Sequence, residues 1–344
     1  MYRALVLGCG ARAHCHARVY PVEGIEIVAC CDIDAERREA FAKTYGIPAT
    51  YDDYEKALAE VQPEVVHIVT NPVRRVWEAE TTAKAGVKAM ILEKPIAVRP
   101  GELRGLAEVR SKYDMEIITN SQRRCFPETT DGVLHEVIRE KLGDVYFVRC
   151  STRGNLMGMG PHLMDWLLAF LGDPEPQAVW ATGSGRSTEG YQATHIAPEH
   201  VLAEYWFPGD VRVVFDCDPD ALGTPKDPKG FNCHLDFLGS RGRLYISQIG
   251  SYFYQTEGMA EPVRHTADEN NHDIGQRELT RKVVEMLAEG TPHPLRFEVG
   301  ERNFRALFAA EQSMWEGRRI ELPARFEDED WEKLIRRLEA GSAG

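Results

Sequence analysis

None of the eight cysteines in this chain forms a Cys-x-x-Cys pair or stands at zinc-ligand spacing. A zinc finger or thioredoxin-like motif is excluded, and cysteines within apolar strand patterns read as small hydrophobes, reduced as in a cytosolic protein. Positive charge is scarce too: 41 lysines and arginines face 54 aspartates and glutamates, a net charge of -13. Such a chain lacks the basic face that nucleic-acid phosphates demand. No apolar run approaches the roughly 18 residues of a membrane span. The first strand pattern begins near residue 2, which leaves no room for a signal peptide. The expectation is a soluble, cytoplasmic protein with no membrane or nucleic-acid partner. Repeats are missing, and low complexity is confined to the Ala/Gly/Ser tail after Glu339. His195, His200, His234, His265, His272 and His293 show no short metal-ligand spacing, so no metal is expected.

What is present is enough for two cores, since 344 residues carry 43% hydrophobic side chains. Strand-like Arg3–Leu7, Ile25–Cys31, Val65–Thr70, Val87–Leu92 and Glu116–Thr119 alternate with helical Ala35–Tyr45, Asp53–Glu60, Arg74–Ala85 and Pro100–Tyr113. This alternation predicts an α/β domain, a Rossmann-type doubly wound parallel sheet, over residues 1–123. Beyond it comes a helix over Asp131–Lys141. Extended segments then follow one another: Val145–Thr152, Ala178–Thr182, His200–Phe207, Val211–Asp216, His234–Leu238 and Gly242–Ser247. They predict an α+β domain over residues 124–344 with a large, mainly antiparallel open sheet, interrupted by a helix within Asn155–Leu171 and closed by helices Gln276–Glu289 and Glu301–Glu316. An open sheet face of this kind is commonly covered by a second copy, so a homo-oligomer is expected.

The first strand opens onto Gly8-x-Gly10-x-x-Ala13, and Asp32 ends the next strand. Strand, glycine turn, helix and acid in this order are the dinucleotide-binding pattern. Gly8 permits the turn, Gly10 lets the backbone approach a pyrophosphate, and Asp32 accepts hydrogen bonds from ribose hydroxyls. Ile33 in the following position favours NAD, while Arg37 and Arg38 one turn later keep NADP as the alternative. Ligands of doubly wound sheets lie beyond the strand carboxyl ends. The candidate cofactor-binding residues are therefore Gly8, Cys9, Gly10, Ala11, Arg12, Ala13, Asp32, Ile33, Thr70, Asn71, Pro72, Glu93 and Lys94. Arg74 and Arg75 read either as a solvated helix start or as contacts for an anionic group.

Glu93-Lys94-Pro95 ends a strand at that same edge, and lysine loses its proton readily when desolvated. Together with Thr70-Asn71-Pro72, Arg124-Cys125-Phe126-Pro127, Gly143-Asp144-Val145 and His162-x-x-Asp165 before Leu171-Gly172, the chain resembles the glucose–fructose oxidoreductase/inositol dehydrogenase (Gfo/Idh/MocA) family over nearly its whole length. The resemblance implies a nicotinamide cofactor and a small, sugar-like substrate. It implies Lys94 and His162 as catalytic residues, with Gln122, Arg124 and Asp165 as substrate contacts. One departure stands out. The family's Asp-x-Gly-x-His reads Gly158-Met159-Gly160-Pro161-His162 here, so the acid is absent. The expected activity is NAD-dependent hydride transfer to or from a secondary hydroxyl of a sugar, cyclitol or glycoside. Redox-neutral glycoside cleavage and a non-catalytic NAD-binding sensor remain as alternatives.

Overall fold

The computed structural model describes residues 1–186, 194–221 and 233–341. The chain divides into two compact units, Met1–Ala97 with Glu102–Cys125 and His272–Gly300, and Val98–Gly101 with Phe126–Asn271 and Glu301–Gly344.

In the first unit β1 (Tyr2–Leu7), β2 (Ile25–Cys31), β3 (Ala49–Tyr51), β4 (Val65–Ile68), β5 (Ala89–Glu93) and β6 (Glu116–Asn120) form one sheet in the order β3-β2-β1-β4-β5-β6. All of its pairings are parallel. Strand order reverses between β1 and β4, which leaves a crevice at their carboxyl ends. β4 and β5 are buried at every position, as expected for parallel strands covered on both faces. Helix Ala35–Tyr45 starts at Asp34, whose side chain accepts the Arg37 N–H, and stops at Gly46 with φ 66°.

The long change of unit falls after Cys125, close to the expected residue 123, and residues 272–300 return to the first unit. Helix Asn271–Glu289 contributes Leu279 and Val283 to the core that holds Ala4, Val65, Ala89 and Ile118. Leu295 joins that core, and its carbonyl accepts the Thr119 N–H. The parallel sheet needs apolar cover on both faces, and part of it comes from a segment remote in sequence.

Among the described residues of the second unit, nine strands form the other sheet. They are β7 (Val145–Arg153), β8 (Ala178–Ser184), β9 (His200–Phe207), β10 (Val211–Asp218), β11 (Cys233–Gly239), β12 (Gly242–Ser247), β13 (Tyr252–Thr256), β14 (Val263–His265) and β15 (Ile320–Glu321), ordered β14-β13-β12-β11-β7-β10-β9-β8-β15. β7 and β10 pair in parallel and the other neighbours antiparallel. One face packs on helix Gly160–Leu171, where the Phe170 and Phe237 rings meet edge to face. That helix fills the later part of Asn155–Leu171, after turns at residues 156–159.

Candidate active site

The glycine turn holds its shape through backbone contacts. Gly8 has a φ of +88°, and a Cβ there would lie 2.8 Å from the Val69 carbonyl oxygen. Only glycine fits. A Cβ on Gly10 would meet nothing within 4 Å, so this glycine leaves space that the protein itself does not fill. At the end of β2, Asp32 Oδ2 accepts the Cys9 N–H at 2.8 Å and Oδ1 accepts the Asp34 N–H at 2.9 Å. Each oxygen keeps a lone pair for a further donor, such as a ribose hydroxyl. Ile33 beside it is 91% exposed. Arg37 lies 3.7 Å from Asp32 and 3.3 Å from Asp34, while Arg38 donates to the Asp32 carbonyl at 2.8 Å. Arg37 thus faces the two carboxylates from a half-exposed position, and Arg38 bonds the backbone at the β2 end. The open glycine and the carboxylate with spare lone pairs fit a dinucleotide.

Three donors converge on Oε1 of the buried Glu93 at the end of β5. Arg12 Nε stands at 2.8 Å, His16 Nε2 at 2.9 Å and Asn120 Nδ2 at 2.6 Å. Burial pushes this carboxyl up, but Arg12, then His16 and Lys94, outweigh it and hold the pKa well below the ordinary range. Lys94 is 5% exposed and is followed by a cis peptide to Pro95. Burial pulls its ammonium down to about 7, opposed by Glu93 and reinforced by Arg12, Arg123 and Arg75. A lysine that gives up and takes back a proton near neutrality suits acid–base work. Arg75 matches neither reading of it as a solvated or anion-facing residue. It is buried and donates to the carbonyls of Thr70 at 3.2 Å and Glu93 at 3.1 Å, stapling the ends of β4 and β5. Thr70 in turn donates to Glu78, Asn71 is exposed, and Pro72 is buried.

Gln122 and Arg124 lie in a buried 3-10 turn, Gln122–Cys125, directly after β6. Gly8, Cys9, Asp32, Thr70, Glu93, Lys94 and Gln122 therefore stand at or just beyond the carboxyl ends of one parallel sheet. In the second unit, His162 and Asp165 are buried on helix Gly160–Leu171, and Asn303 donates to Asp165 Oδ1 at 2.8 Å. At the position of the missing acid, the Gly158 N–H donates to Asn155 Oδ1 at 2.6 Å. A side-chain-capped turn stands where a carboxylate was expected.

His16, His67, Asn120 and Gln276 escaped the sequence reading, although all four are buried in the network behind Glu93. His67 carried the one available signal, a polar residue in the otherwise apolar β4.

Residues 2–120 match the family described as an oxidoreductase family with an NAD-binding Rossmann fold. Among curated proteins, the trans-1,2-dihydrobenzene-1,2-diol dehydrogenase of Oryctolagus cuniculus is 29% identical over 56% of this chain and 60% of its own length. The D-glucoside 3-dehydrogenase of Escherichia coli is 28% identical over 52% of the chain and 56% of its own length. These matches thus span little more than half of each relative. An oxidoreductase from Agrobacterium radiobacter, solved with NAD+, L-tartaric acid and magnesium, superposes over 93% of this chain and 98% of its own with a TM-score of 0.77 at 17% identity, which shows a common fold. Among the described residues no helix is long and apolar enough to cross a membrane.

Proposed function

With residues 2–120 belonging to the Gfo/Idh/MocA oxidoreductase family, we propose that this protein is an NAD-dependent dehydrogenase acting on a secondary hydroxyl, or the matching ketone, of a sugar, cyclitol or glycoside. The observation that carries the reading is the buried Lys94 at the sheet edge that also presents Gly10 and Asp32, where burial pulls its ammonium down to about 7. Asp32 would hold the adenosine ribose and, with Ile33 beside it, favours NAD, while the half-exposed Arg37 keeps NADP as the alternative. A bound nicotinamide supplies the hydride acceptor or donor.

Lys94, when neutral, takes the proton of the substrate hydroxyl and returns it in the reverse direction. His162 shares this proton work, an imidazole being suited to it near neutral pH. Gln122, Arg124 and Asp165 are assigned to substrate hydroxyls. The reduced-cysteine pattern supports a cytoplasmic location. Trp180 at 43% and Leu202 at 48% exposure on the outer face of the nine-stranded sheet support a homo-oligomer.

The test is a panel of sugars, cyclitols and glycosides read as both NADH absorbance and product mass. Lys94→Ala and His162→Ala are each expected to lower kcat by about 100-fold or more, the usual worth of general acid–base catalysis. Near-wild-type turnover in either variant removes that residue from the mechanism. Gly158, capped by Asn155 where an acid was expected, favours one second reading: transient oxidation, elimination and re-reduction of a glycoside. That reaction releases aglycone with no net NADH, whereas the dehydrogenase accumulates NADH.

A further inference from the structure

Glu311 is a buried acid for which the proposed reaction has no use. It lies on helix Phe297–Glu316, is 3% exposed, and among the described residues neither of its oxygens has a hydrogen-bond partner. It lines a cavity of about 20 Å³, room for about one particle the size of a water molecule. Phe308, one turn earlier on the same helix, walls this cavity together with Phe326 and Trp331, and the two phenylalanine ring centroids stand 6.2 Å apart. Trp331 comes from the start of helix Asp328–Gly341, where Asp328 Oδ1 accepts the Gly101 N–H at 2.5 Å. All of these residues belong to the second unit.

A buried carboxyl without a partner calls for a water or an ion. Charge and wall chemistry choose between them. Glu327 and Asp330 also line the cavity, and among the described lining residues there is no lysine, arginine or histidine. Lys333 meets Asp330 at 3.1 Å without being part of the lining. Aromatic faces attract a cation through their negative quadrupole. Gln312 spends its Nε2 on Glu316 at 2.6 Å and keeps a buried Oε1 with no partner, a further acceptor on the lining. Trp331 Nε1 is unpartnered too, and a carboxylate accepts such a donor more strongly than a carboxylic acid does. The buried Tyr205, the remaining titratable neighbour, gives its hydroxyl proton to the Ala306 carbonyl at 3.0 Å.

We propose that Glu311 and the Phe308, Phe326 and Trp331 rings form a binding site for a water-sized monovalent cation, ammonium or potassium. Without the cation, burial holds the Glu311 carboxyl well above its ordinary range and so favours the protonated form. On binding, the carboxyl O–H breaks, its proton leaves to solvent, and the cation takes its place against the carboxylate. One positive charge replaces another, so the cavity stays neutral and no unpaired charge is buried. The bound ion ties helix Phe297–Glu316 to helix Asp328–Gly341. Neither Lys94 nor the cofactor edge takes part, so the site stands apart from the reaction proposed above.

The test follows thermal unfolding of the full chain at about pH 8, in a buffer whose only cation is tetramethylammonium, which is too large for the cavity. Replacing about 100 mM tetramethylammonium chloride with ammonium or potassium chloride is expected to raise Tm by at least about 2 °C. The concentration that gives half of this rise is expected to increase as pH falls from about 8 to about 6, because protons compete for the same carboxyl. Glu311→Gln, which keeps the shape and removes the charge, is expected to lose the response. Phe326→Leu keeps the acid and removes one ring from a half-buried position, and is expected to raise the half-point about threefold or more. No rise with either cation leaves the cavity to water and overturns the site. So do an equal rise with tetramethylammonium, a half-point indifferent to pH, and a response kept in Glu311→Gln. Should that variant not fold, an unchanged half-point in Phe326→Leu overturns the site by itself.

Discussion

Lys94 shows how one residue acquires a property that its type alone does not have. Burial pulls its ammonium down to about 7, and Glu93 is the partner that opposes this. The sign for catalysis follows. The neutral amine accepts the hydroxyl proton, so the rate of substrate oxidation is expected to rise with pH through about 7 and then level off. The residual rate of Lys94→Ala is expected to lack that inflection, and an inflection that persists there would belong to another group. That this lysine matters was legible in Glu93-Lys94-Pro95. That its neighbour Glu93 collects three donors on one oxygen was not, because Arg12 and His16 come from the glycine turn and its helix and Asn120 from the distant end of β6. Arg75 makes the same point in reverse. Sequence puts it at a helix start, and only the packing of β4 beside β5 makes it a buried staple.

Elements with strong local signals came out of the sequence nearly as folded. Strand Ile25–Cys31, helix Ala35–Tyr45, strand His200–Phe207 and strand Gly242–Ser247 have the bounds that their patterns predict. Caps are the reason for the helix: Asp34 accepts the Arg37 N–H at 3.0 Å at one end, and Gly46 turns left-handed at the other. Asp34→Ala is expected to cost about 1 kcal/mol in urea denaturation, the ordinary worth of such a cap. Its backbone N–H, and therefore its bond to Asp32, stays in place. A loss near zero would show that neighbouring contacts already hold this helix end. Strands β3, β13, β14 and β15 were not foreseen. They lie at or next to the sheet edges and are ordered by their partners. Helix Asp328–Gly341 was missed as well, although Asp328, Glu329 and Asp330 mark its first turn.

For the molecule as a whole, stability depends on a carboxyl that the reaction does not use. Glu311 is 3% exposed, and among the described residues neither of its oxygens has a hydrogen-bond partner. It borders a cavity of about 20 Å³ lined also by Phe308, Gln312, Phe326 and Trp331, with room for about one water. Burial alone pushes its pKa well above the carboxyl range. The folded protein therefore holds a proton that the unfolded chain gives up above about pH 4.3. Its contribution is full below that pH and falls by about 1.4 kcal/mol per pH unit until the folded group itself ionises. Glu311→Gln is neutral throughout, so its Tm is expected to gain on the wild type as pH rises from about 5 to about 8. A constant Tm difference across that range would mean that Glu311 is ionised in the fold.

Sequence by itself determined the parts written in short-range patterns: the alternating α/β unit, the antiparallel sheet that follows, the glycine turn with Asp32, and the lysine at a strand end. Each depends on residues within a few turns or one strand of each other, where periodicity and capping act. Tertiary structure alone decided that residues 272–300 complete the first unit, and that His16, His67 and Asn120 assemble behind Glu93. The reason is physical: burying a polar network requires every donor to meet an acceptor across distant strands, and no local pattern encodes that match.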